Sequence, residues 1–147
     1  MLLGRCCLSN DVGELRKLSV WIRDRITDAG NVTSRADNVD LCVHEAVVNI
    51  VQHGYRRGAQ GTIAVTVEAV DRGLAVTIAD NGHPFNPLLH PSPHRPLTID
   101  DARDGGFGIH LIRSFADELE YRRENEHNIL MLRFQETDKK PAPLQTG

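Results

Sequence analysis

The stretch LCVHEAVVNIVQHG, residues 41–54, restricts the fold more than any other part of the chain. Val39, Val43, Ala46, Val47 and Ile50 recur at helical spacing, so this segment needs an apolar surface to pack against. Glu45, Asn49 and His53 stand four residues apart and stack on successive turns of another face. A carboxylate, an amide and an imidazole on a half-buried helix cost free energy unless something polar meets them. The helix is therefore expected to lie between a core and a polar ligand. Ser34 is its expected cap, Asp37 follows in the first turn, and Gly54 is a natural terminator.

The flanking segments say what that core is. Residues 2–8 read as an edge strand. Asp11 and Glu14 have capping-box spacing before Leu15, Leu18, Ile22 and Ile26, the stripe of an amphipathic helix that ends near Gly30. Trp21 flanks that stripe, as core or as an anchor facing a partner. Residues 62–69 alternate with Ile63, Val65 and Val67 on one face, and Asp71-Arg72-Gly73 reads as a hairpin connection. Leu74, Val76 and Ile78 mark the next strand, which runs into Asp80. Residues 81–106 hold Pro84, Pro87, Pro91, Pro93 and Pro96, a density that excludes a helix or a central strand and suits a lid or binding loop. A helical period returns after Gly108 through Ile109, Ile112, Phe115, Ala116 and Leu119. Residues 121–128 read as a strand end with a hairpin turn, and 129–134 as a central strand, apolar on both faces. The expected fold is an α/β two-layer sandwich over residues 1–134, with an antiparallel or mixed sheet. The polar tail 135–147 is expected to be disordered.

At 147 residues, 40% apolar and 25% charged, the chain suits one domain with a real core. A net charge of −3 gives no strong pull toward nucleic acid or anionic membrane, and no apolar run reaches the length of a membrane span. Three cysteines, Cys6, Cys7 and Cys42, are an odd count with two adjacent, which argues against a disulfide framework. The opening MLLGRCCL is too short and interrupted for a signal peptide, so the expected compartment is the cytoplasm.

The polar residues suggest phosphate chemistry without a P-loop. No GxxxxGK[ST] is present, and of the three lysines, Lys17, Lys139 and Lys140, two lie in the tail. Backbone N–H groups, a helix N-terminus, a cation and arginine remain. Gly105, Gly106 and Gly108 precede a helix and would allow close approach of an anion; a flexible connection would use the same residues. Asn49 offers an amide oxygen suited to Mg²⁺, or it bonds the backbone. Glu45, one turn earlier, is placed to take a proton, or is an ordinary helical glutamate. Asp80 could accept from an exocyclic amine with Gly82 beside a flat base, or could close a simple turn. His53 is by itself more commonly structural than a ligand.

Three motifs in order resemble the ATPase superfamily shared by gyrase B, Hsp90, MutL and histidine kinases. They look most like its small branch of anti-sigma factor serine/threonine kinases of the RsbW and SpoIIAB type. The E-A-x-x-N-x-x-x-H-G motif stands as Glu45-Ala46-Val-Val-Asn49-Ile-Val-Gln-His53-Gly54. D-x-G-x-P-F stands as Asp80-Asn-Gly82-His-Pro84-Phe85, and G-G-x-G-[IL] as Gly105-Gly106-Phe107-Gly108-Ile109. The likeness spans residues 10–134. It implies a Bergerat-type fold with a mixed, largely antiparallel sheet, and ATP and Mg²⁺ as cofactors. It implies Glu45 as the catalytic base and Asn49 as the metal ligand. The nucleotide would be held by Asn49, His53, Asp80, Gly82, Phe85, Gly105, Gly106, Phe107, Gly108 and Ile109, with Arg103 or Arg113 toward the phosphates. It further implies a STAS-type anti-anti-sigma protein as partner, a sigma factor as a second one, and a homodimer. Two other functions fit the motifs: a nucleotide-gated interaction module without phosphotransfer, and a detached histidine-kinase catalytic domain. The second is disfavoured because no phosphoacceptor helical hairpin precedes the motifs.

Overall fold

A computed structural model describes residues 1–30, 35–56, 58–89 and 106–136. Five strands form one sheet: β1 (Leu2–Ser9), β2 (Thr62–Val70), β3 (Gly73–Asp80), β4 (Glu118–Glu124) and β5 (His127–Gln135), in the order β1-β2-β3-β5-β4. Every neighbouring pair is antiparallel, so of the antiparallel or mixed sheet expected from sequence the described residues form the antiparallel one. Short hairpins join β2 to β3 and β4 to β5, which leaves no parallel crossover to build. Among the described residues three α-helices accompany the sheet: α1 (Leu15–Ala29), α2 (Ala36–His53) and α3 (Gly106–Phe115).

The alternation in the strands makes the core. Ile63, Val65 and Val67 of β2, Leu74, Val76 and Ile78 of β3, and Leu130, Leu132 and Phe134 of β5 are buried together. Against them lie Leu15, Leu18, Ile22 and Ile26 of α1 and Val39, Cys42, Val43, Ala46, Val47 and Ile50 of α2. This is the two-layer sandwich expected from periodicity. Trp21 is partly buried against the same core, beside Gly4 of β1.

Helix ends differ in detail from expectation. Asp11 caps a short 3-10 turn, Val12–Glu14, by accepting from the Gly13 N–H, and α1 follows directly. Gly30 ends α1, with its N–H on the carbonyls of Ile26 and Thr27. Ser34 lies outside the described residues, and Arg35 precedes α2 without a side-chain cap bond. Arg35 instead reaches across the molecule, donating to the carbonyls of Phe115 (2.6 Å) and Gln135 (2.9 Å) and pairing with Asp117. Its guanidinium lies 5.6 Å from the centre of the Phe134 ring.

The helical period read through Leu119 is corrected. α3 stops at Phe115, and Leu119 belongs to β4, opposite Leu132. Leu119 and Tyr121 also fit a period of two, and pairing with β5 decides between the readings. Arg35 takes the Phe115 carbonyl, and the Asp117 N–H goes to Arg133 O at 2.9 Å, so the chain leaves the helix there. At the other end, β5 continues through Gln135, and the Glu136 N–H still bonds Arg72 O. Residues 137–147 of the expected tail, and 90–105 of the proline-rich segment, lie outside the described residues.

Candidate functional site

The site forms where the C-terminal half of α2 faces α3 and the ends of β3, β4 and β5. A pocket there is lined by Ala46, Asn49, Ile50 and Gly54 of α2 and its end, Asp80 of β3, Phe85 and Pro87 of the following loop, Ile112 of α3, and Tyr121, Asn128 and Leu130 of the last hairpin. Its walls are mostly apolar, with Asn49, Asp80, Tyr121 and Asn128 as the polar groups among them, as a small-molecule site requires.

Asp80 is buried at 3% exposure, in register with Asn128 on the neighbouring strand. Its Oδ1 accepts from the Gly82 N–H (2.9 Å) and from Asn128 Nδ2 (3.0 Å). Among the described residues nothing bonds Oδ2, so the carboxylate has one acceptor to give to a ligand. Asn128 was named in the sequence only as part of a strand pattern, yet it makes four hydrogen bonds. Its Nδ2 also donates to His83 O (2.9 Å), and its Oδ1 accepts from the Phe85 N–H (3.2 Å) and the Tyr121 hydroxyl (2.6 Å). The available signal was a lone asparagine at an inward position of an otherwise apolar strand.

The loop after Asp80 is fixed from several sides. The His83 N–H bonds Gly54 O at 3.0 Å, and Arg123 donates to Gly82 O at 2.8 Å. A Cβ on Gly82 would overlap that same Gly54 carbonyl. The close approach that glycine allows here is therefore to the end of α2, besides any base in the pocket. Asn81 accepts from the Tyr55 hydroxyl and the Thr62 N–H. Burial, and then the nearby Asp80 carboxylate, push the Tyr55 hydroxyl up to about 12.

Glu45 and Asn49 stand on α2 facing α3. Asn49 is buried at 5% exposure, and its Nδ2 has no partner among the described residues. An unsatisfied buried amide costs roughly 1–3 kcal/mol, which a bound polar ligand would recover. Glu45 is half-buried and makes no hydrogen bond or ion pair among the described residues. Gly108 sits directly against both. A Cβ placed there would come within 2.7 Å of Glu45 Oε2 and 3.5 Å of Asn49 Nδ2. The missing side chain at residue 108 lets Glu45 keep its place where α3 meets α2, and the N-terminal turn of α3 lies beside the two polar groups.

The other expected residues fall as follows. Phe85 is half-buried with its ring centre 6.3 Å from that of His53, which is exposed at the end of α2. Ile109 is buried, and Gly106 and Phe107 open α3. Gly105 and Arg103 lie outside the described residues. Arg113 donates to Leu88 O of the 3-10 turn Pro87–Leu89. Among the described residues no three His, Cys, Asp or Glu side chains gather to hold a metal. What the site offers a nucleotide is one unsatisfied amide, one free carboxylate oxygen in an apolar slot, and a helix N-terminus held close by a glycine. These donors fit ATP, and a cation carried on its phosphates would find the Asn49 amide oxygen.

Known proteins share these features. The model of the histidine kinase-like ATPase domain family matches residues 8–134. The serine/threonine-protein kinase BtrW of Bordetella bronchiseptica is 38% identical over 92 residues, 63% of this chain and 65% of that protein. The serine-protein kinase RsbW of Staphylococcus epidermidis is 33% identical over 122 residues, 75% of this chain and 76% of that protein. The chain thus spans about two thirds of the length of BtrW and three quarters of RsbW. Among solved structures, the RsbU and RsbW domains of Rv1364c from Mycobacterium tuberculosis superpose with a TM-score of 0.62 at 14% identity, over 90% of this chain and 31% of that one. The histidine kinase domain of Erythrobacter litoralis EL346 gives 0.52 at 16% identity, over 84% of this chain and 60% of that one. Both structural likenesses concern the fold. The match over residues 8–134, together with the two kinase relatives, places the chain plainly: it belongs to the histidine kinase-like ATPase domain family.

Proposed function

We propose that this protein is an ATP-dependent protein serine/threonine kinase and anti-sigma factor. In this reading it phosphorylates a STAS-type anti-anti-sigma partner, binds a sigma factor, and works as a cytoplasmic homodimer in transcription regulation. Support for the kinase part comes from the relatives named as serine or serine/threonine-protein kinases. The observation that carries it is the Glu45–Asn49–Gly108 contact: an unpartnered carboxylate beside an unsatisfied buried amide and a glycine at a helix N-terminus.

Bound Mg-ATP would supply the phosphoryl group and the charge neutralisation that its transfer needs. Asn49 would hold the cation through its amide oxygen, and its Nδ2, unpartnered among the described residues, would gain an acceptor. Asp80 Oδ2 accepts from the exocyclic amine of the base, with Phe85 and His53 at the pocket edge. The N–H groups at the start of α3 face the phosphates. Glu45 would take the proton of the partner's hydroxyl as its oxygen bonds the γ-phosphorus, while the bond from that phosphorus to the bridging oxygen breaks and ADP leaves. The apolar slot of Ala46, Ile50, Ile112 and Leu130 excludes water from the base. No described helix is long and apolar enough to cross a membrane.

Calorimetry with Mg-ATP on the wild type, Asn49→Ala and Glu45→Ala tests the site, and labelling of a small STAS protein tests the transfer. We expect the wild type to bind, Asn49→Ala to lose affinity, and Glu45→Ala to bind but not transfer. No binding by the wild type would end the nucleotide reading. Binding without transfer to any serine or threonine would leave a nucleotide-gated interaction module, and an acid-labile product would indicate transfer to histidine.

A further inference from the structure

Asn128 spends every hydrogen-bonding position it has, and all four bonds bear on the walls of the pocket. Nδ2 donates to Asp80 Oδ1 (3.0 Å) and His83 O (2.9 Å), while Oδ1 accepts from the Phe85 N–H (3.2 Å) and the Tyr121 hydroxyl (2.6 Å). This pattern fixes the orientation of the amide. Turned over, it would set its oxygen against Asp80 Oδ1 and His83 O, and its NH₂ against the Phe85 N–H. With Gly82 N–H also on Oδ1, that oxygen of Asp80 is occupied and its side chain cannot rotate without breaking two bonds.

We propose that the Asn128–Tyr121 pair is the positioning device that sets base selectivity, by holding Asp80 so that only Oδ2 faces the pocket. This rests on the nucleotide reading of the site and goes one step further. A base with an exocyclic amine donates to a fixed, acceptor-only oxygen. A base with a carbonyl at that position brings lone pairs against it, and a held carboxylate cannot turn away to relieve the repulsion. Asn128 lines the pocket but has no side-chain hydrogen-bonding position left for the base, so it acts on the base through Asp80, and its removal should blur the choice between bases more than it weakens binding in general. Tyr121 acts one bond further out, by keeping Asn128 Oδ1 satisfied.

Mg-ATP and Mg-ITP differ at that position, amine against carbonyl, and their dissociation constants can be measured by calorimetry on each protein. The wild type should favour ATP. Asn128→Ala should cut the ATP-to-ITP preference about tenfold, through loss of one discriminating interaction. Asn128→Ser, which keeps a donor, should retain more of the preference, and Tyr121→Phe should lower it a few-fold. A parallel loss of both affinities with the preference unchanged would mean a merely structural role and overturn the proposal. A wild type that binds ATP and ITP equally would overturn it too, while leaving the nucleotide site standing. A wild type that binds neither would remove both. Should Asn128→Ala melt before it can be measured, Tyr121→Phe keeps the ring in place and decides by the same ratio.

Discussion

Gly108 stands where a single methyl group separates two functions of one contact. A Cβ there would meet Glu45 Oε2 at 2.7 Å and Glu45 Cβ at 3.3 Å. The first is the free end of a flexible side chain and can swing aside; the second allows only a small shift. Gly108→Ala is therefore expected to cost about 1 kcal/mol of stability, at the low end for overpacking. Its effect on phosphotransfer should be far larger, about 100-fold, because Glu45 is driven from its place. Urea denaturation alongside single-turnover transfer checks both, and full transfer by the variant would mean that Glu45 is not the base. At this scale the sequence is most legible where residues come in motifs: Asn49 and Asp80 line one pocket, and Glu45 stands one turn from Asn49, against Gly108. Asn128 is not legible this way because its partners come from two other places in the chain, Asp80, His83 and Phe85 from one segment and Tyr121 from another. No local pattern encodes such a meeting.

Arg35 joins elements that the sequence reading left unconnected. It ties the start of α2 to the end of α3 and to β5, with the Asp117 carboxylate accepting from both the Arg35 guanidinium and the Gln135 N–H. Burial by itself would raise the Asp117 carboxyl; the Gln135 N–H and Arg35 outweigh it and hold it below the usual carboxylate range. A carboxyl depressed in the folded state stabilises above its unfolded value, about pH 3.9, and that contribution is lost as pH falls through the lower folded value. Wild type and Asp117→Asn should therefore differ most near neutrality and converge below about pH 4. A gap that stays constant down to pH 2 in urea melts would dismiss the linkage. Arg35→Ala removes bonds to two carbonyls and to the exposed Asp117 carboxylate, which water can largely replace, at a cost of about 1–2 kcal/mol. The same junction explains why the α3–β4 boundary was misread. Apolar spacing alone allowed helix through Leu119, and what ends it is a guanidinium arriving from 80 residues earlier.

Across the whole molecule, one apolar layer between helices and sheet carries the fold, and this was legible because both periods, 3.6 and 2, were strong in the sequence. Strand direction is legible only from the short connections, the hairpins at Asp71-Arg72-Gly73 and within 121–128, since alternation looks the same in either sense. The cysteines report on that layer. Cys42 is at 0% exposure within the core, and burial pushes its thiol up to about 12, with Glu45 adding to the shift and Arg35 opposing it. Cys7 is exposed on β1, and Cys6 is half-buried with its thiol raised by burial, Cys7 and Glu14. A disulfide reagent at pH 8 should thus label Cys7 at once and Cys6 more slowly. Cys42 should react at least about 1,000-fold more slowly still, because α1, α2 and the sheet must part before a thiolate can form in water. Its rate should follow global unfolding as urea is added, and Mg-ATP should slow it further by binding only the folded state. If Cys42 instead reacts as fast as Cys6 in the native protein, α2 opens locally. The helix that carries Glu45 and Asn49 would then be a moving part of the site rather than its frame.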